Sequence, residues 1–341
     1  MSALVVDRLA HYGRLTAEAS AGYFEGGEPR DHLYDLVADY PSRGGKAIRP
    51  ALCLATCVAF GGRIEEALPS AVALEMMHNA FLVHDDIEDA SLLRRGRPTL
   101  HLRHGVPLAL NAGDALAVLA LAPLRDNRRR LSSRMAALVA DEFELMSRRT
   151  VEGQATELGW RQANVVDLDP EDYLDLVLRK TCWYTTIHPL RVGALIGSWG
   201  RADLDALVRF GFYLGAAFQI ADDLLNLTAA ADPYGKESRG DLFEGKRTLM
   251  VIHLLRATSA GEHDSVVDFL RRDRVDRSEA DVDRVLGLMH AHGSLEFARQ
   301  FGEGIAEAAR ASFTEAFGGL EDSPEIGFIR ELIGWMLRRP G

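Results

Sequence analysis

The sequence predicts an all-α protein, and three features support this. Apolar residues recur with helical spacing through most of the chain, as at Leu207, Phe210 and Leu214. No segment shows the sustained alternation of β-branched residues that is typical of strands. The chain also contains neither Asn-Gly nor Asp-Gly, the dipeptides that most strongly indicate hairpin turns.

The predicted helices follow one another with glycines and prolines between them. The loops are short except around 230–244, and no long linker rich in Pro, Ser or Gly divides the chain. We therefore expect one all-helical domain over 1–341, a size that requires long helices around one deep core. The predicted helices lie near 44–60, 64–92, 106–122, 130–157, 169–198, 202–229, 245–259 and 277–318.

Composition limits the classes of function. The net charge of -11 argues against general binding to nucleic acid, which depends on clustered cations facing phosphates. No stretch approaches the ~20 uninterrupted apolar residues of a membrane span. The N-terminal segment reaches Asp7 and Arg8 too early to form the core of a signal peptide. We therefore expect a cytoplasmic protein without a membrane span.

The segment VHDDIED at 83–89 carries the first candidate site. Asp85 and Asp89 are four residues apart on a predicted helix, so their carboxylates lie on one face about one turn apart. Two ionised carboxylates so placed repel each other unless a cation lies between them. Oxygen ligands at this separation suit Mg²⁺, which keeps several waters and shares its coordination with substrate phosphates.

The segment IADDLLN at 220–226 repeats this arrangement on another helix, with Asn226 where a third carboxylate could stand. An acidic cluster on its own is often a solvated helix face. Both segments, however, continue apolar runs that are predicted to be buried, where carboxylates are costly unless paired or bound to a metal. Two such helices facing each other would hold metal ions around a diphosphate.

Basic residues accompany the acidic segments. A glycine pair precedes Lys46 at the predicted start of a helix, where free N–H groups and the helix dipole attract anions. Arg49 follows one turn later and can reach the same phosphate as Lys46. Arg94 and Arg95 follow the first acidic segment and can point to both sides of a charged cleft, where Arg suits bidentate phosphate contacts. Either basic pair on its own would more often be an ordinary part of the protein surface. The order of the two pairs relative to the acidic segments favours a phosphate-binding site.

Six motifs together resemble the trans-isoprenyl diphosphate synthases, over about 44–250. The pairing of DDIED with DDLLN is most similar to geranylgeranyl diphosphate synthases, since bacterial farnesyl synthases carry two extra residues in the first motif. The flanks 1–43 and 251–341 carry no motif of the family. The motifs are GGKAIRP at 44–50, EMMHNAFLVHDDIEDASLLRRGRPTLH at 75–101, VEGQATEL at 151–158, LRKTCWY at 178–184, FQIADDLLNL at 218–227 and YGKESRGDLFEGKRTL at 234–249.

The resemblance implies a single large helical bundle with a central apolar cavity, Mg²⁺ as cofactor, and a homodimer. The implied metal ligands are Asp85, Asp89 and Asp222. The implied contacts to isopentenyl diphosphate are Lys46, Arg49, His78 and Arg95. Those to the allylic diphosphate are Arg94, Lys180, Thr181, Gln219, Lys236 and Lys246. The residues expected to act directly on the departing diphosphate are Asp85, Asp89, Arg94, Lys180 and Asp222.

The implied reaction needs little acid–base catalysis. Mg²⁺ and the basic residues stabilise the charge on a departing diphosphate. The alkene of isopentenyl diphosphate then attacks the allylic cation, and a proton is lost. The protein must hold both substrates and exclude water.

Asn226 stands where the second motif of the family commonly has an aspartate. Asparagine keeps an oxygen ligand but loses a charge, so we expect a weaker role at this position rather than inactivation.

Product length is expected to depend on the residues below the first acidic segment. Phe81 lies one turn before Asp85 on the same face, and Met77 lies one turn deeper. Both could be ordinary core residues; the alternative is that Phe81 sets the floor of the channel. Because the neighbouring Ala80 is small, we expect a product of twenty carbons, geranylgeranyl diphosphate, rather than farnesyl diphosphate with fifteen.

Two other functions fit parts of the pattern. A terpene cyclase would use an aspartate motif but has no need for a second-substrate site such as Lys46, Arg49 and Arg95. Its usual Asn/Ser/Glu motif is also missing from 215–235. A non-catalytic partner subunit of a heteromeric synthase could lose one acidic motif, yet both are present here.

Overall fold

A computed structural model describes residues 2–228 and 237–337. Within them it has seventeen α-helices, two π-helices, two 3₁₀ turns and one short hairpin, so the predicted all-α fold is confirmed. The α-helices are α1 Ala3–Ala21, α2 Asp35–Ser42, α3 Ile48–Ala59, α4 Ile64–Glu88, α5 Leu100–His104, α6 Val106–Leu119, α7 Leu121–Asp126, α8 Ser133–Gln162, α9 Pro170–Val177, α10 His188–Gly197, α11 Leu204–Thr228, α12 Gly240–Glu244, α13 Leu249–Ala257, α14 Ala260–Arg271, α15 Glu279–Ala291, α16 Ser294–Phe317 and α17 Pro324–Leu337. The π-helices are Arg30–Tyr34 and Leu178–Ile187, and the 3₁₀ turns are Asn127–Arg129 and Arg274–Asp276.

Helices α4 and α11 carry the two acidic segments through the middle of the fold. Each has 25 residues, which corresponds to about 37 Å at the rise of an α-helix. Buried side chains surround α4 between Ala67 and Val83, as expected for a helix that other helices cover on all sides. Helix α4 packs against α3 and α6, whereas α11 packs against α16 and the second π-helix. Both helices therefore end in carboxylates that emerge from the interior.

Three clusters of buried apolar residues hold the helices together. The first joins α3, α10, α17 and the N-terminal half of α11. The second lies between the C-terminal half of α11 and helices α13–α16. The third fills the space between α4, α6 and α8. The prediction of a single domain over 1–341 stays a prediction.

A two-stranded hairpin, β1 Leu93–Arg94 and β2 Arg97–Pro98, was not predicted. Its turn residues Arg95 and Gly96 have φ angles of 53° and 73°. Positive φ at both central positions is typical of the tight turns that match the twist of a hairpin, and Asn-Gly is merely the commonest sequence for it. The absence of Asn-Gly and Asp-Gly was therefore an incomplete test for hairpins.

Several predicted helix boundaries differ from the observed ones. The helix predicted from residue 44 begins at Ile48, because Gly44 and Ala47 have φ angles of 75° and 51°, outside the right-handed helical region. The helix predicted over 169–198 is divided into α9, the π-helix Leu178–Ile187 and α10. The hydrogen bonds of a π-helix span one residue more than those of an α-helix, a difference that apolar spacing does not resolve. The long helix predicted over 277–318 is broken at Gly293, where φ is 71°.

Two helical stretches, Val106–Arg129 and Leu204–Thr228, are long and apolar enough to cross a membrane by length and composition alone. Core helices of soluble proteins pass the same test, and half of the apolar window of the second stretch is buried inside the fold. The expected absence of a membrane span stays a prediction.

Candidate active site

A cavity of about 870 Å³ opens between α4, α8, α11 and the second π-helix. This volume is in the range of small-molecule sites. Asp89 does not line the cavity but contacts Lys246, which does line it. Lys236 lies outside the described residues. The predicted site residues that line the cavity are Lys46, Arg49, His78, Phe81, Asp85, Arg94, Arg95, Lys180, Thr181, Gln219, Asp222 and Lys246.

The first acidic segment forms the C-terminal end of α4, with Asp89 as its cap. The carbonyl end of a helix carries partial negative charge, so carboxylates placed there need nearby cations. Asp85 keeps 24% of its side chain exposed and faces the cavity. Asp89 is only 1% exposed and contacts Lys246 and Arg161. Arg161 of α8 and Lys246, which follows α12, thus compensate the charge of Asp89.

The middle carboxylate of the segment, Asp86, points into the core and was not predicted to have a role. It is fully buried and accepts hydrogen bonds from Nε and Nη2 of Arg94 at 3.0 and 2.5 Å. The Tyr40 hydroxyl donates to its second oxygen at 2.5 Å. Burial lowers the pKa of Arg94, but the charge of Asp86 outweighs this effect and raises it above the usual value. Asp86 therefore positions Arg94, whose Nη2 lies 3.5 Å from Asp85.

Lys180 projects from the second π-helix towards the first acidic segment. Its Nζ lies 2.8 Å from Glu157 and 3.4 Å from Asp85. Burial lowers the pKa of Lys180, but the charges of Glu157 and Asp85 raise it above its ordinary value, so the amine is cationic at neutral pH. Gly153 permits this approach, because a Cβ there would lie 2.3 Å from the Lys180 backbone nitrogen.

Lys246 approaches from the other side, after α12. Its Nζ lies 2.6 Å from Glu244, 2.8 Å from Asp89 and 3.7 Å from Asp241. Burial lowers the pKa of Lys246, but these three carboxylates raise it well above its ordinary value. Burial also raises the pKa of Glu244, against the opposing charge of Lys246. The two lysines thus form a cationic pair around the first acidic segment.

The second acidic segment lies in the last turns of α11. Asp222 and Asp223 both line the cavity, and Asp223 is only 5% exposed. Asp223 accepts hydrogen bonds from the Tyr173 hydroxyl at 2.8 Å and from Gln219 Nε2 at 2.7 Å. Thr181 donates in turn to Gln219 Oε1 at 3.0 Å. Thr181 and Gln219 therefore act as one polar unit beside Asp222.

Asn226 serves as an anchor for the neighbouring chain. Its side-chain oxygen accepts a hydrogen bond from the backbone N–H of Asp241 at 3.1 Å. Asp241 lines the cavity, and its charge raises the pKa of Asp223, after the larger effect of burial. Asp241 thus brings a third carboxylate to the side of the cavity where Asn226 lacks one.

The basic residues before and after the first acidic segment meet at one end of the cavity. Arg49 contacts His78 Nε2 at 3.2 Å and donates to the Thr185 hydroxyl at 2.9 Å. Arg95 donates to the Tyr40 carbonyl oxygen at 2.8 Å. Burial lowers the pKa of Arg95, an effect that the nearby carboxylate of Glu75 opposes. Lys46 lies 5.5 Å from the ring centroid of Trp335 on α17.

The residues expected to limit product length have different surroundings. Phe81 lines the cavity and meets the Tyr184 ring edge-to-face at 5.7 Å. Met77 is 8% exposed, belongs to the apolar cluster between α4, α6 and α8, and is not part of the lining. Tyr184 lines the cavity, whereas Trp183 packs against the cluster around α13–α16.

The donor set suits Mg²⁺ chemically, since Asp85, Asp89 and Asp222 supply carboxylate oxygens. Among the described residues no three acidic, histidine or cysteine side chains converge as a preformed metal site. This agrees with the chemistry of Mg²⁺, which takes one or two carboxylates and completes its shell with water and substrate phosphates.

Comparison with known proteins gives concordant results. The polyprenyl synthetase family model matches residues 30–289. The chain is 34% identical over 281 residues to the geranylgeranyl diphosphate synthase of Sulfolobus acidocaldarius, covering 80% of this chain and 83% of that protein. It is 32% identical over 256 residues to a short chain isoprenyl diphosphate synthase of Methanothermobacter thermautotrophicus, covering 75% of each. The crystal structure of a geranylgeranyl pyrophosphate synthetase from Pyrococcus horikoshii is similar with a TM-score of 0.86 and 29% identity, over 98% of both chains.

Proposed function

The chain belongs to the polyprenyl synthetase family, and from this premise we propose that it condenses isopentenyl diphosphate with an allylic diphosphate. It is a prenyl-transferring enzyme, and geranylgeranyl diphosphate is its product. The main support for the proposal is that the cavity has an acidic part and a separate basic part. Two acidic segments and two lysines line one part, and Lys46, Arg49 and Arg95 line another. Such a cavity suits two diphosphates, one with bound metal ions and one without.

The residues of the chain have separate tasks in this reaction. Asp85, Asp89 and Asp222 would hold Mg²⁺, which would supply positive charge to the departing diphosphate. Lys180 and Lys246, both cationic at neutral pH, bind oxygens of that diphosphate and stabilise the charge it gains as the carbon–oxygen bond breaks. The allylic carbocation is then attacked by the alkene of isopentenyl diphosphate, and the proton lost passes to the departed diphosphate.

The second substrate is bound at the basic end of the cavity. Lys46, Arg49 and Arg95 hold its diphosphate, with His78 beside Arg49. Guanidinium groups are well suited to this task, since they present two parallel donors to phosphate oxygens. Fixing both substrates in one cavity supplies the proximity that the carbon–carbon bond requires, and the apolar walls exclude the water that would quench the cation.

The proposal is tested by incubating the purified chain with isopentenyl diphosphate, one allylic starter at a time, and Mg²⁺. Chromatography should give a twenty-carbon product, and EDTA should abolish its formation. Fifteen carbons would indicate farnesyl diphosphate instead. Release of diphosphate and a cyclised hydrocarbon without isopentenyl diphosphate would indicate a terpene cyclase. Inactivity of the chain alone would indicate a partner subunit.

The enzyme is proposed to act as a homodimer through an apolar face on α5–α7, which we call the α6 face. It consists of Leu102, Val106, Leu110, Val118 and Leu121, whose exposed fractions range from 47% to 66%. An apolar patch of this kind marks an interaction site. Helix α6 contains no Lys or Arg, whereas helices that lie on membranes are typically rich in both. A second copy of the same face therefore fits it best.

We also propose a cytoplasmic location, because the substrates are charged and water-soluble.

A further inference from the structure

We propose that Tyr184 is a positioning residue that couples the isopentenyl diphosphate site to the channel for the growing chain. This inference rests on the proposed function and extends it. It assigns one side chain to two tasks: holding the guanidinium of Arg49 on its ring face, and holding the floor residue Phe81 at its ring edge.

The geometry around the Tyr184 ring carries the inference. The guanidinium carbon of Arg49 lies 4.3 Å from the ring centroid, well within the range of a cation–π interaction. The Phe81 ring meets the Tyr184 ring edge-to-face, with centroids 5.7 Å apart and planes at 83°, an arrangement that aromatic pairs prefer. The imidazole of His78 lies 5.8 Å away at 34°. All four side chains line the same cavity.

The backbone at Tyr184 explains how one residue reaches both partners. Tyr184 lies in the π-helix Leu178–Ile187, the same element that presents Lys180 to the acidic segment. Thr185, the next residue, is fully buried and accepts a hydrogen bond from Nη2 of Arg49. Two consecutive residues of the π-helix thus hold one guanidinium, Tyr184 through its ring and Thr185 through its hydroxyl. π-helical segments occur frequently at functional sites.

Arg49 is held in a way that leaves it able to bind a ligand. Its two terminal nitrogens contact the His78 ring at 3.2 Å and the Thr185 hydroxyl at 2.9 Å. Its Nε is buried and has no hydrogen-bond partner among the described residues. A diphosphate can therefore bind this guanidinium without breaking an ion pair, while the Tyr184 face keeps it in place.

The arrangement links binding to chain length. Phe81 and Tyr184 both pack against the apolar cluster between α4, α6 and α8, so their paired rings separate the polar part of the cavity from that cluster. Removing the aromatic ring at 184 withdraws the support of Arg49 and also frees Phe81 from its edge contact. Both the affinity for isopentenyl diphosphate and the depth of the channel should then change together.

The test compares Tyr184→Leu with Tyr184→Phe, which keeps the ring face and edge. We expect Tyr184→Leu to raise KM for isopentenyl diphosphate roughly three- to tenfold, the equivalent of a lost cation–π contact, and to shift the product to longer chains. The KM for the allylic starter should change much less. Tyr184→Phe should stay close to wild type in both properties. If Tyr184→Leu fails to fold by circular dichroism, Tyr184→Met, which also lacks a ring, replaces it.

Two single-effect variants serve as matched controls. Phe81→Leu should lengthen the product with KM for isopentenyl diphosphate near wild type, and Arg49→Lys should raise that KM without lengthening the product. A ringless variant at 184 that changes only one property, or neither, overturns the inference, and so does a Tyr184→Phe variant with the same defects. A wild-type chain that forms no product with any starter overturns the proposed function and this inference with it.

Discussion

Asp86 and Arg94 form a two-donor ion pair in which both groups are almost completely buried, with side-chain exposures of 1% and 7%. Asp86 is the middle carboxylate of the first acidic segment, yet it faces away from the cavity. Its charge orients Arg94, which does line the cavity. Two adjacent aspartates of one motif thus have different tasks.

We predict that Asp86→Asn destabilises the protein and lowers its activity. Removing one partner of a buried ion pair leaves the other charge uncompensated, which costs about 3–5 kcal/mol. Tyr40→Phe removes the hydrogen bond to the same carboxylate and the acceptor of the Leu100 N–H but leaves the ion pair, and should cost about 2 kcal/mol. Urea unfolding and kcat/KM of the three proteins provide the measurement. Equal stability of Asp86→Asn and wild type would contradict the role given to this pair.

Asp241 is predicted to supply the carboxylate that the second acidic segment lacks at Asn226. Asp241→Asn should lower kcat or the affinity for Mg²⁺ roughly 10- to 100-fold, the range found for residues that support a metal site. Adding Asn226→Asp to this variant should recover part of the loss, because it returns a carboxylate to the same side. The Mg²⁺ dependence of the rate is the readout. No loss in Asp241→Asn would show that its charge is dispensable.

The buried His188 gives the protein a specific sensitivity to acid. Burial lowers the pKa of His188 to about 4, against the opposing charge of Glu142. The pKa of His188 is lower in the folded state than in the unfolded state. Its contribution to the free energy of unfolding is therefore fully present above pH ~6.5 and is lost as pH decreases towards ~4, by about 3 kcal/mol in total.

His188→Gln, which does not titrate, should remove this dependence. The test measures the free energy of unfolding of the variant and the wild type at pH 7, 6 and 5. Most carboxylates titrate below this range, so they contribute little to the difference. Parallel pH curves for the two proteins would argue against the assignment.

Val118→Glu is predicted to dissociate the proposed homodimer. Val118 is the most exposed residue of the α6 face, at 66%, and a carboxylate there would put a charge into the two-fold interface. Val275→Glu is the matched control, since Val275 is 90% exposed in a 3₁₀ turn outside this face.

Light scattering after size exclusion should give a dimer for wild type and Val275→Glu, and a monomer for Val118→Glu. A monomeric wild type that binds lipid vesicles would instead indicate a membrane contact.

Phe81→Ala should lengthen the product beyond twenty carbons, because Phe81 lines the cavity below the first acidic segment. Met77→Ala alone should have little effect on length, since Met77 is buried behind that lining. The double variant should give the longest products, as removal of Phe81 exposes the Met77 position to the channel. Chromatography of the products measures this. An unchanged length in Phe81→Ala would reject Phe81 as the floor.

Several features were determined by the sequence itself. Apolar spacing fixed the all-α class, because a helix that packs on others must repeat its buried residues every three to four positions. The spacing of Asp85 and Asp89, and the basic residues Lys46 and Arg49, indicated a diphosphate site from local geometry and residue type. The resemblance to the synthase family supplied most of the other residues that line the cavity, whereas Asp89 lies outside the lining.

Contacts between distant segments were decided only by the tertiary structure. Helical spacing paired Asp85 with Asp89 but gave no partner for Asp86, since whether a carboxylate faces Arg94 or a cavity depends on how α4 is rotated against its neighbours. Asp241 of α12 contacts Asn226 of α11, and the adjacent Arg94 and Arg95 have different partners, Asp86 and the Tyr40 carbonyl oxygen. Charge and burial act through space rather than along the chain, so partners far apart in sequence are fixed only when the helices pack.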